Sequence, residues 1–384
     1  MRHDLHGAGS GLKGPETRMN QKAGSFLRGL TRRRLLVAAG GAVGAAAAVT
    51  AVMRHDRAPQ PVIRHRIVPD GRARRLVLSW PSSNRLLLAV AQARFFGTYN
   101  LDVALVDGPR TGRTTIADVV EGRAVGAAAP LLTWLDRYRL GPIPVHLASG
   151  LQSGGFRLLV RRGVKGSRLE TVAGMRIAVT DQDMADRLFF SVMMRRKGID
   201  PEGAVHWVTL APAQVEQAAR AGEIDAVAAH DPLAWQWLHL PDPLFFELEN
   251  STTGHYGERT NLALGLSDSL LRSDPVAAAS LVMALRAASD WIKAHPDQAA
   301  GLMAEAAGGM DAGEVLAMLR HESLGISPVG HDLRVQVAQY VDEMKLLGRV
   351  PDTVGSAAYA RRLCVNVLEA DESGALAIPE SGPA

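Results

Sequence analysis

From residue 76 onward, short apolar runs alternate with stretches whose apolar residues recur at helical spacing. Leu76-Val77-Leu78 predicts a strand that runs into Ser79-Trp80-Pro81-Ser82-Ser83-Asn84, a polar turn with a helix-start signal. The pattern then predicts a helix over Leu86 to Phe96, a strand over Leu101 to Val106 and a helix over Thr115 to Glu121. A small-residue strand over Ala124 to Ala128 and a helix over Pro130 to Arg139 follow. Val145 to Ala148 reads as a strand, which Gln152-Ser153-Gly154-Gly155 breaks before Phe156 to Val160 extends again. A second unit repeats the alternation. Its expected strands are Met175 to Val179, Trp207 to Leu210, Ile224 to Ala228 and Leu244 to Leu248, with helices over Met184 to Lys197 and Gln214 to Ala221. From Asp274 the chain reads as mostly helical: Pro275 to Ala294, Gln298 to Ala307, Ala312 to Arg320, His331 to Leu347 and Ala357 to Leu368.

Alternating strands and helices argue for an α/β fold with parallel sheets covered on both faces. In such sheets a ligand sits beyond the carboxyl ends of the strands. That rule nominates residues 79–84, 129–133 (with Pro130), 152–155, 180–184 and 229–232. Trp80 is either an aromatic cleft wall or a core residue at the sheet edge. Ser82, Ser83 and Asn84 donate to a ligand, cap the following helix, or do both. Gln152 and Ser153 line a cleft or form a solvated turn. Thr180, Asp181 and Asp183 are helix caps or ligand contacts. Two carboxylates facing a ligand would repel an anion and favour a cationic or amine-bearing one. His230 and Asp231 end a strand, where they contact ligand, bind metal or cap the next helix; ligand contact is expected ahead of metal binding, since no other His, Asp or Glu is near in sequence. His255-Tyr256-Gly257 reads as a flap or a loop, and Cys364, in a late helix, as a small buried hydrophobe.

Composition narrows the class. The chain of 384 residues is 47% hydrophobic and 21% charged, which excludes wholesale disorder. One cysteine excludes a disulfide framework and a Cys-rich metal site, and no metal or cofactor is expected. Residues 1–75 hold 15 of the 43 Lys and Arg and 4 of the 39 Asp and Glu, a net +11, which leaves −7 on the rest. A nucleic-acid footprint on the body is therefore not expected, because counterion release needs clustered positive charge.

The basic excess reads as an address. Residues 1–30 are polar, aperiodic and expected to be disordered. Residues 31–53 begin Thr31-Arg32-Arg33-Arg34-Leu35-Leu36 and continue as an Ala/Gly/Val run, the order of an export signal of the twin-arginine class. The alternative is an uncleaved anchor, since Leu35 to Met53 is 19 residues, just long enough to span a membrane. Residues 54–74 read as a basic linker. Either way the body is expected in the periplasm, free or anchored through residues 35–53.

Five stretches carry a family likeness. Ala89-Val90-Ala91-Gln92-Ala93-Arg94-Phe95-Phe96 precedes Tyr99-Asn100-Leu101-Asp102-Val103, and Thr171 to Val179 follows. Next come Val208-Thr209-Leu210-Ala211-Pro212-Ala213-Gln214, then Ala221-Gly222-Glu223-Ile224-Asp225-Ala226 before Asp231-Pro232. Trp291-Ile292-Lys293-Ala294-His295-Pro296 is the last. In order and spacing, over about residues 76–350, they resemble the periplasmic substrate-binding proteins of nitrate, sulfonate, taurine and thiamine-precursor ABC importers.

The resemblance implies a two-lobed periplasmic-binding-protein fold of type II, with a ligand cleft between the lobes and a helical C-terminal part. Lobe 1 is expected over 75–157 plus 258–384 and lobe 2 over 160–252, with hinge crossings near 156–161 and 250–262. It further implies a monomeric solute-binding protein that closes on a small sulfonate-, nitrate- or taurine-like molecule. Its partners would be an ABC permease with its ATPase, after export by the twin-arginine translocation machinery. Members that bind oxyanions often show Gly-Ser or Gly-Thr where this chain has Thr180-Asp181-Gln182-Asp183, so the ligand's charge stays open. Enzymes of the same fold use a cysteine nucleophile or a Cys-rich signature, and this chain has neither. An exported enzyme and a membrane-anchored sensor ectodomain are the alternatives.

Overall fold

The computed structural model describes residues 63–180, 185–252 and 254–380. The export signal or anchor of residues 31–53, the stretch 1–30 and the pair Asp181 and Asp183 lie outside the described residues. Among the described residues, no helix is long and apolar enough to cross a membrane.

After β1 (His65–Arg66), the body starts with β2 (Arg74–Ser79) and α1 (Leu86–Val90), whose turns widen to π-helix over Ala91–Phe95. Next come β3 (Leu101–Leu105), α2 (Gly112–Val120), β4 (Gly126–Pro130), α3 (Leu131–Tyr138) and β5 (Val145–Ser153). The second run is β6 (Phe156–Arg161), β7 (Arg176–Thr180), α4 (Ala185–Arg196), β8 (His206–Leu210) and α5 (Pro212–Arg220). It ends with β9 (Ala226–His230), α6 (Leu233–Leu238) and β10 (Phe245–Asn250). A short α7 (Gly254–Gly257) leads into β11 (Thr260–Ser267). The rest is helical: α8 (Asp268–Ser273), α9 (Pro275–Ala294), α10 (Pro296–Met303), α11 (Ala312–Leu319), α12 (Gly330–Leu346) and α13 (Ser356–Leu363). β12 (Glu369–Ala370) then pairs antiparallel with β1, so residues 65–67 of the expected linker touch the C-terminal segment.

Two five-stranded sheets share one plan. The first has the order β3-β2-β4-β11-β5 and the second β10-β6-β9-β7-β8. In each, three strands are parallel: β2 with β3 and β4, and β7 with β8 and β9. In each, the fourth position is filled by an antiparallel strand that has just crossed from the other sheet. β11 lies between β4 and β5, and β6 between β9 and β10. The first crossing is Gly154-Gly155, both at positive φ (62° and 87°), a backbone region that only glycine enters cheaply. It lies just ahead of the expected 156–161, which is itself strand β6.

Two other expectations change. β5 continues to Ser153 instead of breaking after Ala148, because its far half pairs with β11 and Gly150 N–H donates to Pro328 O. The last helix ends at Leu363, and Cys364 is extended, bridging Leu147 in parallel. Cys364 is buried as expected, and burial pushes its thiol up to about 12, which keeps it protonated.

Helices α9, α10 and α11 pack one apolar cluster against the first sheet. A second cluster is shared: Trp134 and Leu135 of α3 and Leu333 and Val337 of α12 join Phe156, Ile177 and Phe189 of the second run. β4 is built of small residues and fully buried, so helices approach it closely. Gly265 on β11 serves the same end, since a Cβ there would meet the Trp134 ring at 2.6 Å.

Gly265→Ala is therefore expected to destabilise by about 1–3 kcal/mol, read as a lower urea midpoint. Gly301→Ala, within α10 where a Cβ meets nothing within 4 Å, is expected to be neutral or stabilising. Equal midpoints for the two variants would contradict the close approach at Gly265.

Candidate functional site

A cleft of about 560 Å³ lies where the carboxyl ends of the parallel strands of both sheets face one another. From the first sheet it takes Ser82 and Ser83, after β2. Pro109, Arg110, Thr111 and Thr114 come from the turn into α2. The second sheet contributes Thr180, at the end of β7, and His230, at the end of β9, with Pro212 from α5, and Pro232, Leu233 and Gln236 from the start of α6. Ala306, Ala307 and Gly308 close the rim.

His230 joins the two sides. Its Nε2 lies 3.2 Å from Ser83 Oγ, and its Nδ1 lies 3.0 Å from a carboxylate oxygen of Asp186, buried in the first turn of α4. A carboxylate only accepts hydrogen bonds, so Nδ1 carries hydrogen. In the neutral ring Nε2 then accepts, and the Ser83 hydroxyl donates to it while keeping lone pairs for a ligand. Phe156 meets the imidazole edge-on at 6.4 Å and holds its plane. Serine, imidazole and carboxylate thus lie in the spacing of a nucleophile, base and orienting acid, with the serine and the histidine supplied by different sheets. A second link runs from Gln236 Nε2, which donates to Ala307 O at 3.0 Å and Gly308 O at 2.9 Å.

The remaining polar surface is largely hydroxyl. Thr111 caps α2 in a reciprocal box with Thr114, so the positive end of that helix opens on the cleft. Arg110 is the cation in the lining, and its Nε donates to Asp118 at 2.7 Å. Burial pushes the Asp118 carboxyl up, but hydrogen bonds from Ser79, Arg123 and Arg110 outweigh it and hold the carboxyl below the usual range.

Of the nominated residues, Ser82, Ser83, Thr180 and His230 come together in this cleft. Trp80 does not form a cleft wall: it is buried in the core, with Nε1 donating to Asn84 O at 2.8 Å. None of Ser82, Ser83 and Asn84 caps α1, whose N-cap is Arg85. Ser82 Oγ instead accepts Arg110 N–H at 2.9 Å, and Asn84 Nδ2 donates to Gln152 Oε1 at 2.8 Å. Gln152 and Ser153 are not a solvated turn but the end of β5, and Ser153 Oγ donates to Ser323 O. Pro130 is buried as the last residue of β4.

Asp231 is buried against Arg157, whose Nε lies 2.9 Å from both carboxylate oxygens. Arg157 also pairs with Glu247 and lies 5.2 Å over the Trp235 ring. The 255–257 segment is no flap: Tyr256 packs on Phe189 and its hydroxyl donates to Glu343. Arg110, Thr111, Thr114 and Gln236 were not nominated. The strand-end rule points at the first three once it is applied to the turn after β3.

Comparison with known proteins places this arrangement. The sequence model of the NMT1-like family matches residues 91–309. No curated protein sequence is matched. Among solved structures, the alkanesulfonate-binding protein SsuA from Xanthomonas axonopodis pv. citri bound to MOPS is similar, at 18% identity and a TM-score of 0.61, covering 74% of this chain and 97% of its own. SsuA from Escherichia coli, a periplasmic aliphatic sulphonate binding protein, gives 15% and 0.60, covering 73% and 90%. The periplasmic nitrate-binding protein NrtA from Synechocystis PCC 6803 gives 12% and 0.59, covering 76% and 86%. At these identities the likeness establishes the fold, the two-sheet α/β fold of periplasmic binding proteins with a helical C-terminal part. With its family model matched over more than half of the sequence, the chain belongs to the NMT1-like family.

Proposed function

We propose that the protein is an extracytoplasmic solute-binding protein that closes two lobes on a small polar molecule and delivers it to an ABC permease with its ATPase. The observation that carries this reading is the cleft itself, to which both sheets present the ends of their parallel strands. Family membership and the binding-protein names of the structural neighbours support it. The moving units are residues 75–153 with 260–380, and 156–250, linked by the crossings at Gly154-Gly155 and after β10. Export by the twin-arginine route, a periplasmic or anchored location and a monomeric state belong to the same proposal. The ligand class is drawn from what the neighbours are named for, sulfonates and nitrate, and from taurine-like molecules.

Recognition uses hydroxyls and the His230 imidazole rather than a fixed charge pair. Ser83 and His230 meet only when the lobes are together. Their contact is a closure contact on this reading, not a nucleophile with its base.

A thermal-shift panel on the full chain, with nitrate, alkanesulfonates, taurine, bicarbonate, pyrimidines and small amines, is expected to reveal one binding class. A ligand at 100 times its Kd adds about 2.7 kcal/mol. Gln236→Ala, which loses two hydrogen bonds between the lobes, is expected to weaken that ligand roughly tenfold. A panel without any shift would remove the reading. A fluorophosphonate probe separates binding from catalysis: no label is expected on Ser83, and labelling that Ser83→Ala abolishes would establish an exported hydrolase instead.

A further inference from the structure

A smaller cavity, of about 40 Å³, lies beside the cleft. Its polar wall is Gln152, Ser153, Ser289, Glu322 and Ser323, and the rest is mostly apolar, including Leu87 and Leu319. The volume suits two or three waters, or a group the size of a methylammonium, since one water needs about 10–15 Å³ on this measure. The Asn84–Gln152 hydrogen bond ties this wall to the residue next to Ser83, at the cleft.

Glu322 is the anomaly. Its Oε1 is buried and meets no hydrogen-bond partner among the described residues. The charged groups that face it are Arg157, on β6, and Asp231, just after β9, and the cavity wall from α1, β5, α9, α10 and α11 is neutral. Arg157 is already engaged by Asp231 and Glu247. Three carboxyl groups thus share one guanidinium, and a buried carboxylate without a counter-ion is strongly unfavourable. The cluster is short of a cation.

We propose that the Glu322 cavity receives a small cationic group, the ammonium end of an amine-bearing ligand, with Glu322 as counter-ion and the side-chain oxygens of Gln152, Ser153 and Ser289 as further acceptors. The proposal rests on the solute-binding reading and narrows its ligand class. In the empty cavity, burial pushes the Glu322 carboxyl from 4.5 up to about 8, with Asp231 adding to the rise and Arg157 opposing it. The empty site is therefore protonated at pH 7, and an entering ammonium displaces that proton into solvent. A raised carboxyl gives stability that is full below 4.5 and lost as pH rises through about 8. An ammonium ion in the cavity restores what is lost.

The test is a pH-stat titration of the full chain at pH 7 in unbuffered sodium chloride, with methylammonium as the probe. The expected result is close to one proton released per methylammonium bound, with a rise in Tm that is larger at pH 9 than at pH 6. Glu322→Gln keeps the shape of the neutral acid and so the fold. It is expected to release no proton and to bind methylammonium at least about tenfold more weakly. Binding without proton release, equal binding by the variant, or no binding by the wild type each overturns the site. Ethanesulfonate keeps the two proposals apart. If it binds wild type and variant alike while methylammonium does not bind, the solute-binding reading stands and the cation site falls. If neither probe binds, nor any member of the ligand panel, the underlying reading falls as well.

Discussion

Strand exchange is the constraint on which the rest of this structure depends. A buried strand must have its backbone N–H and C=O groups paired. β11 supplies that pairing inside the first sheet, between β4 and β5, and β6 supplies it inside the second, between β9 and β10. Each of these strands reaches its place through a crossing, so neither sheet is complete without the other half of the chain. The crossings also touch one another: Phe156 N–H donates to Ser251 Oγ at 2.8 Å, and Asn261 Nδ2 donates to Gly154 O at 2.8 Å. The connection is narrow and passes through two glycines at positive φ, which is where the proposed closure would bend the chain. The same exchange fixes the site, because it leaves the parallel strands of both sheets ending at one common cleft.

Two buried guanidinium groups show how differently the fold treats charge. Arg259 lies between the rings of Tyr256 and Tyr340, 5.0 and 3.9 Å from their centroids, and pairs with Glu343, which also accepts from Arg196. That cluster has cations in excess, one of them half exposed to water. It anchors the return crossing to α12. Arg157 also lies over an aromatic ring, but it faces carboxyl groups in excess, one of them with a buried unpaired oxygen. Both clusters order the fold near the crossings. A stability argument accounts for the first. It does not account for the second, because an apolar residue at 322 would avoid the desolvation of a third carboxyl.

What could be read from the sequence follows from which forces act locally. The period of the apolar residues located most of the strands and helices, because burial on a sheet face or a helix stripe is written residue by residue, but it missed β11 and the short α6. Loss of legibility begins where long-range pairing decides. Gln152 and Ser153 have turn chemistry, yet pairing with β11 and with Pro328 draws them into β5. Trp80 sits in a polar turn, yet its ring is long enough to reach back into the core while Nε1 finds Asn84 O. Asp186 and Glu322 gave no sequence signal, because an acid within a helix or a loop reads as solvated until the tertiary structure buries it. The strand-end rule pointed to Ser82, Ser83, Thr180 and His230, which do lie together at the cleft, since it depends only on strand direction.

The Ser83–His230 pair also bears on how occupancy and closure are linked. One hydrogen bond between side chains contributes on the order of 1 kcal/mol net, too little to hold two lobes shut by itself. The atoms that bridge the lobes are the same atoms that face the cleft. A ligand that accepts from Ser83 Oγ or His230 Nε2 must replace or extend the bridge, and it meets groups from both sides only when the lobes are together. In the proposed binding role, its differential affinity for the closed form would be the closing force, as population shift requires. The Asn84–Gln152 hydrogen bond continues this line to the Glu322 cavity. A molecule with an ammonium at one end and a hydrogen-bonding group at the other would engage the closure contact and relieve the unpaired carboxyl in one binding event.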